Sequence, residues 1–452
     1  MEKEYYRRKV DAEFERWFQN PQRVPLLVTG IRQCGKTRSI LHFARSHYQT
    51  VNVINFWEQP SAKSLFDGSL EVDDLIKRIT LSYPKFTFAP GKSILFLGEI
   101  QDCPRARLAL KSFKEDGRFD VICSGSFLGL NVDEQSSGEP KPNGAEEVLR
   151  MNTMDFEEYL WVQGYQDEQI QYLWERLERR EPIPAPVHEK LSEFYLEHMC
   201  VGGYPDAVAV FMGTHRYMDV FRKVQSLIFD IKGDPARRKD ANGEPLYTTA
   251  EVMRIQSAFD LIPAFALAEN KRFVQSRING GNGIQKKACV DYLCNAGVAY
   301  RVYNVTSPSI PLKASQIESD YKLFYGDISL LLASCGYETI RGLLQGTLGA
   351  NKGKLFEAAV ADALYKAGLP LYFFQKPSGL EIDFVIEYQG GSTLIEAKAR
   401  NGNAKSAKTV LSHPEHYGKT SLIKIGAGNI YFENGILSIP HYLTFLLGRQ
   451  PE

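Results

Sequence analysis

Apolar and polar positions alternate in a regular order through the first 150 residues, short apolar runs separated by stretches of helical spacing. Residues 1–20 read as an amphipathic helix with Phe14, Trp17 and Phe18 on one side. The apolar run Val24 to Val28 is followed by a helix-compatible run from Lys36 to Tyr48, and Val51 to Phe56 then alternates as a strand. A helical stretch spans Ser69 to Leu81. Ser93 to Leu97 is continuously apolar behind the turn signals Pro90 and Gly91, the mark of a buried parallel strand. One more strand, Phe119 to Cys123, ends in Ser124-Gly125-Ser126. Strands alternating with helices predict an α/β domain on a parallel sheet.

The pattern changes beyond this point. Residues 131–148 are rich in Ser, Gly, Pro, Asn and Glu and read as an exposed loop, and Gly233 to Gly243, with Arg237-Arg238-Lys239-Asp240, reads as a second polar stretch. From Thr248 to Val305 the spacing predicts three helices and then an aromatic strand, Val298 to Asn304. Thr248, Thr249 and Glu251 can cap the first helix, and Gly280-Gly281-Asn282-Gly283 precedes the third, Ile284 to Ala296. Three helices and a strand predict a winged-helix-like unit with Lys286, Lys287 and Arg301 as its basic face. A further helix runs from Asn351 to Ala367 and stops at Gly368. It precedes a strand, Leu371 to Gln375, and a hairpin with arms Glu381 to Ile386 and Thr393 to Lys398.

Candidate chemistry lies at two places. Gly30-Ile31-Arg32-Gln33-Cys34-Gly35-Lys36-Thr37 reads G-x-x-x-x-G-K-[ST], and it sits between a strand and a helix as a phosphate-binding P-loop must. Backbone N–H groups of the loop and of the helix start, through Arg38, are expected to cradle a polyphosphate. Lys36 is expected against the terminal phosphates and Thr37 on Mg²⁺, so ATP and Mg²⁺ are the expected cofactors. In P-loop ATPases a second apolar strand closes in Asp-Glu, the Asp helping to hold the metal and the Glu polarising the attacking water. Here Glu99 is present but Gly98 stands at the Asp position. Nucleotide binding with slow or absent hydrolysis is therefore expected. Ser124 or Ser126, at the tip of the next strand, is expected to sense the γ-phosphate.

The second place is the C-terminal hairpin. Side chains alternate along a strand, so Glu381 and Asp383 share one face, as do Glu396 and Lys398. A two-residue turn at Gln389-Gly390 sets Asp383 opposite Glu396, and one at Gly390-Gly391 sets it opposite Lys398. Either way Asp383, Glu396 and Lys398 point the same way. Opposed carboxylates repel unless a cation lies between them. Two acids with a lysine suit Mg²⁺-dependent phosphodiester cleavage, with Asp383 and Glu396 as metal ligands and Lys398 beside them.

Bulk properties restrict the function classes. The 452 residues are too many for one ordinary core. Lys+Arg and Asp+Glu are 54 each, so no global field draws the chain to a polyanion. No apolar stretch approaches a membrane span, and the N-terminus lacks the apolar core of a signal peptide. The seven scattered cysteines include no C-x-x-C pair, which suits a reducing cytoplasm and speaks against zinc and a disulfide framework.

The order of these motifs resembles the prokaryotic AAA-like ATPases that carry a conserved C-terminal domain of unknown function. The P-loop, Leu97-Gly98-Glu99-Ile100-Gln101 and Ser124-Gly125-Ser126 carry the resemblance, and Gly98 departs from that family's Asp-Glu-Ile-Gln. Met154 to Leu160 resembles its signature closing the ATPase core. Cys200 to Val208 resembles its Gly-Gly-x-Pro motif, and Asp320 to Asp327 a strand segment of its C-terminal half. The Asp…Glu-x-Lys order, with Glu357 on the preceding helix, resembles the restriction-endonuclease-like fold, and that resemblance implies Glu357 as a third metal ligand. Together these imply an α/β multidomain chain: an AAA-like nucleotide-binding domain over 1–195, a winged-helix-like domain over 196–345 and a restriction-endonuclease-like domain over 346–452. Two functions are compatible with them. One is a nucleotide-controlled DNA-processing enzyme with a Mg²⁺-dependent nuclease site. The other is a non-catalytic regulator, oligomeric or not, that binds DNA or a protein partner.

Overall fold

The computed structural model describes residues 5–126, 144–238, 243–349, 351–398 and 405–449. The chain forms two compact units, one built on residues 1–152 and the other on most of 153–452.

The first unit is a parallel five-stranded sheet in the order β2-β3-β4-β1-β5. The strands are β1 (Leu26–Gly30), β2 (Thr50–Asn55), β3 (Ser93–Gly98), β4 (Asp120–Gly125) and β5 (Glu147–Met151), and every neighbouring pair is parallel. Helices α1 (Lys9–Gln19), α2 (Lys36–His47), α3 (Val72–Ser82) and α4 (Pro104–Asp116) complete it. Every residue of β1 and of β3 is buried, as their unbroken apolar runs require. Leu27, Leu95, Leu97 and Val121 of the sheet pack with Leu75 and Ile79 of α3 and Leu110 and Phe113 of α4. Each such side chain contributes about 1.5–3 kcal/mol by leaving water. Phe14 and Trp17 of α1 lie 5.2 and 6.2 Å from the Phe43 ring of α2, so the N-terminal helix is fastened to the helix that follows the P-loop.

β5 was not expected. Glu147 and Val148 belong to this edge strand rather than to a loop, because pairing with Leu26 and Leu27 of β1 satisfies their backbone. The rest of the predicted loop up to residue 143 lies outside the described residues.

The second unit is organised on one eight-stranded mixed sheet, in the order β12-β13-β11-β10-β9-β8-β6-β7. Its strands are β6 (Ala299–Val305), β7 (Gln316–Tyr325), β8 (Tyr372–Gln375), β9 (Glu381–Tyr388), β10 (Gly391–Ala397), β11 (Thr420–Gly426), β12 (Tyr431–Glu433) and β13 (Ile436–Pro440). β8, β9 and β10 are antiparallel neighbours, whereas β11 returns parallel to β10 after the helix Lys405–Leu411.

This sheet changes the expected middle and C-terminal organisation. The strand predicted to complete a winged-helix unit is β6, which pairs in parallel with β8 and so joins the C-terminal strands. The second of the three predicted helices is only a 3₁₀ turn, Gln275–Arg277, because the chain before it is drawn out along β7: the Phe273 N–H donates to Tyr321 O at 2.8 Å. Residues 196–345 and 346–452 therefore share one sheet, and the compact units divide near residue 152 rather than 195. The three residues of the predicted basic face are engaged within the unit, though one carboxylate offsets only one of their three charges. Lys287 and Arg301 both pair with Asp291, at 2.9 and 2.5 Å, and Lys286 donates to Ser276 O. Gly233 to Arg237, read as polar linker, continues the helix Tyr217–Arg237, and Arg238 pairs with buried Asp234 at 3.0 Å. Lys239 and Asp240 lie outside the described residues.

Candidate functional site

The P-loop takes the geometry its glycines permit. Gly35 has φ 103°, a left-handed conformation that favours glycine, and the chain enters α2 directly from it. Gly30 has no room for a side chain, since a Cβ there would lie 2.1 Å from Met151 O. Ile31 and Cys34 are buried, and Cys34 O accepts a hydrogen bond from the Arg8 guanidinium at 2.7 Å. Arg8 also donates to Asn152 O at 2.7 Å, which ties the loop to the chain beyond β5. Arg32 lies over the Trp57 ring at 5.6 Å, and Gln33 adopts φ 62°.

Lys36 is buried, and its Nζ donates to Gly30 O and Ile31 O at 2.9 Å each. The ammonium is held by the loop's own carbonyls. Thr37 is exposed, Arg38 follows in the same turn, and the first turn of α2 contains no acidic residue. These are the conditions for an anion at a helix N-terminus. Ser124 strengthens the fit to a phosphate. It is 1% exposed, and its Oγ has no hydrogen-bond partner. β4 lies beside β1 with Ser124 level with Val28, so this orphaned hydroxyl belongs to the strand next to the loop.

Gly98 ends β3 level with Asn55 of β2. Glu99 follows with φ 52°, a strained conformation for a residue with a side chain. Its carboxylate accepts from Gln101 Nε2 at 2.7 Å, and Gln101 Oε1 accepts from Ser126 N at 3.3 Å. Glu99 is thus tethered next to where a metal-holding carboxylate is missing.

In the second unit, Gln389 and Gly390 form the hairpin turn, both left-handed at φ 49° and 73°. The register runs from Gly391↔Tyr388 to Ile395↔Phe384, and its continuation sets Asp383 opposite Glu396. Lys398 bridges them, at 2.7 Å from Glu396 and 3.4 Å from Asp383, and Ala397 N donates to Asp383 at 2.9 Å. Glu357 is buried on the helix Asn351–Lys366. It does not stand free for a metal, because Lys271 donates to its Oε2 and Lys322 lies 3.5 Å from its Oε1. Among the described residues no group of three or more His, Cys, Asp or Glu side chains is placed to hold a metal ion. Glu357 of the expected Mg²⁺ ligand set is therefore engaged by two ammonium groups, and as arranged the three acids do not fit the metal, whereas Lys398 stands beside Asp383 and Glu396 as expected.

Burial alone would raise the Glu357 carboxyl, but Lys322 and Lys271 outweigh it and hold it below its ordinary range. Asp383 goes the other way. Burial and then Glu357 push it up to about 7 against the pull of Lys398. Sequence reasoning missed Lys271 and Lys322. A usable signal was present for the second, a lone cation inside the apolar run Tyr321-Lys322-Leu323-Phe324-Tyr325.

Three sequence motifs of the second unit meet at one buried carboxylate, Asp327, which is 0% exposed. Thr153 Oγ1 donates to it at 2.6 Å, Gly203 N at 2.9 Å, Ser329 N at 3.0 Å and Lys366 Nζ at 3.0 Å. A Cβ on Gly202 would lie 2.5 Å from Asp327 Oδ1, and one on Gly203 2.0 Å from Met154 O. The glycine pair is there to let the chain approach this carboxylate. Lys366 also pairs with Asp362 at 2.9 Å, and Asp362 Oδ1 has no hydrogen-bond partner. Burial pushes Asp362 up to about 7.

Residues 22–160 match the AAA domain family, and residues 352–442 match a domain of unknown function, DUF4143. The N-terminal part is thus an AAA-like P-loop domain. No curated protein matches the chain. Among solved structures it is similar to the ORC2 protein of Aeropyrum pernix in its ADP form, with 13% identity and a TM-score of 0.31 over 77% of this chain and 96% of that one. It is also similar to Drosophila ORC bound to DNA, with 10% identity and a TM-score of 0.27 over 76% of this chain and 88% of that one. Overlaps this loose assign no role to any residue. No helix among the described residues is long and apolar enough to cross a membrane.

Proposed function

We propose that the chain is a nucleotide-switched AAA-type protein. It binds ATP at Gly30 to Thr37, turns it over slowly, and uses its nucleotide state to govern a C-terminal unit that binds DNA or a protein partner without cleaving it. One observation carries the reading: a buried lysine, an acid-free helix start and an orphaned Ser124 hydroxyl lie on adjacent elements of one sheet. In this reading Lys36 exchanges its two carbonyl acceptors for phosphate oxygens, and Thr37, at the open side of the loop, serves as the protein's ligand to Mg²⁺. Bound ATP supplies the γ-phosphate whose presence or loss is the signal. Ser124 reads that phosphate.

Slow turnover follows from Gly98. With no carboxylate there, the protein adds little to metal placement beyond Thr37, and Glu99 is engaged by Gln101. The ammonium groups of Lys271 and Lys322 on Glu357 favour the binding role over the nuclease role.

The test is ATP titration of the full chain. A lysine–phosphate contact is a charge-assisted bond of about 1.5–3 kcal/mol, so Lys36→Ala should weaken ATP binding by roughly 10- to 100-fold. Unchanged affinity would sink the reading.

A further inference from the structure

Four carboxylates of the second unit lie among ammonium groups of the chain itself. Glu357, Glu381, Asp383 and Glu396 come from one helix and two adjacent strands, and three ammonium groups lie among them. Lys398 sits at the open side, with its side chain 32% exposed. Lys322 is different. It projects from β7, is 1% exposed, and reaches Glu357 Oε1 at 3.5 Å and Glu381 Oε1 at 3.4 Å. Its Nζ also lies 4.8 Å from the Phe373 ring centre and 5.8 Å from that of Phe384.

A lysine this deeply buried is costly unless its charge is compensated. Here two carboxylates and two aromatic faces compensate it. The separations of 3.4–3.5 Å suit an ammonium, whereas Mg²⁺ demands oxygens at about 2.0–2.1 Å in octahedral array. Glu357 Oε1 has no hydrogen-bond donor, so its lone pairs are met by charge and not by a directed bond.

We propose that the Lys322 ammonium occupies the place of a divalent cation between Glu357 and Glu381, so that this pair of acids is permanently loaded by the chain itself and takes no metal. One strand residue does there what an ion would otherwise have to do. In Lys322→Ala, Glu381 loses its ion pair and Glu357 keeps only Lys271, and a divalent ion becomes the available compensation.

The experiment is a Mn²⁺ titration of the nucleotide-free full chain, followed by electron paramagnetic resonance of the free ion. The wild-type titration should be unchanged by Glu381→Gln. Lys322→Ala should gain one bound Mn²⁺, lost again when Glu381→Gln is added, and Mn²⁺ should raise the melting temperature of Lys322→Ala but not of the wild type. A wild-type Mn²⁺ site that disappears in Glu381→Gln overturns the proposal, and that comparison stands even if Lys322→Ala fails to fold. A folded Lys322→Ala chain that takes up no Mn²⁺ overturns it equally.

Discussion

Asp327→Asn is the sharpest perturbation of the second unit, because it keeps the shape and removes the charge. Asp327 accepts from Thr153, Gly203, Ser329 and Lys366 with no exposure to water. Burial alone would raise its carboxyl. Lys366 and the hydroxyls of Ser329 and Thr153 outweigh burial and hold it at about 2, against an ordinary 3.8. At about 1.4 kcal/mol per unit, that depression is worth roughly 2 kcal/mol at neutral pH. The sign follows from the depressed value: the contribution is complete above pH 3.8 and is lost as pH falls through about 2. An asparagine also turns an N–H₂ group toward donors that expect an acceptor, and it leaves Lys366 with Asp362 as its only carboxylate, beside Met154 O. Breaking a buried charge network in this way costs about 3–5 kcal/mol. The assay is urea unfolding at pH 7, read by hydrogen exchange in peptides covering 200–208 and 323–334, so that the second unit is measured separately from the first. A loss below about 1 kcal/mol would refute the view that this carboxylate joins the three motifs.

Other expectations are quickly checked. Gly98→Asp should raise the ATPase rate about tenfold or more in steady-state phosphate release. A Cβ at Gly98 meets Asn55 atoms at an ordinary 3.4–3.5 Å, so an unchanged rate could not be blamed on crowding. Asp362 is pushed up to about 7, so its contribution is present below pH 3.8 and is lost as pH rises through 7. Asp362→Asn should therefore recover on the order of 2 kcal/mol at pH 8 relative to pH 5, as read from paired urea titrations. His198, which burial lowers to about 4, runs the other way: its stability is full above pH 6.5 and is lost as pH falls through 4. His198→Gln should flatten the acid limb of the wild-type stability profile. Gly203→Ala, whose Cβ would lie 2.0 Å from Met154 O, should give little folded second unit in exchange experiments.

Legibility differed between the units for a physical reason. In the first, β1 and β3 are buried throughout and read as apolar runs while β2 alternates, and β1, β2, β3 and β4 were readable within two residues. β5 escaped because it is an edge strand with a largely exposed surface, Glu-Val-Leu-Arg-Met. In the second unit local pattern identified β6, and the family resemblance a strand segment within β7, but neither identified their partners. That β6 lies beside β8, almost seventy residues later, depends on long-range pairing that no window of sequence contains. The same limit applied to the sites. Asp383, Glu396 and Lys398 were readable together because a hairpin is local and its turn sets the register. Lys322 and Lys271 join them through tertiary packing, so the cluster was foreseen with the wrong cation.

Gly98 and Lys322 are changes of the same kind made in opposite ways. A divalent ion is held where carboxylates exceed the cations available to neutralise them. At the end of β3 the excess is removed by subtracting an acid: Gly98 leaves Glu99 as the remaining carboxylate of the motif, and Gln101 already donates to it. At the C-terminal cluster the excess is removed by adding a base, since Lys322 brings its ammonium to Glu357 and Glu381. On the proposed reading the phosphate loop is kept while the two candidate metal positions are weakened. Binding without rapid chemistry is the behaviour such a chain should have. The two substitutions therefore make a paired test of the idea: Gly98→Asp should restore turnover without creating a Mn²⁺ site at the C-terminal cluster, and Lys322→Ala should create that site without changing turnover. An effect of either substitution on the other site's readout would mean that the two charge balances are not independent.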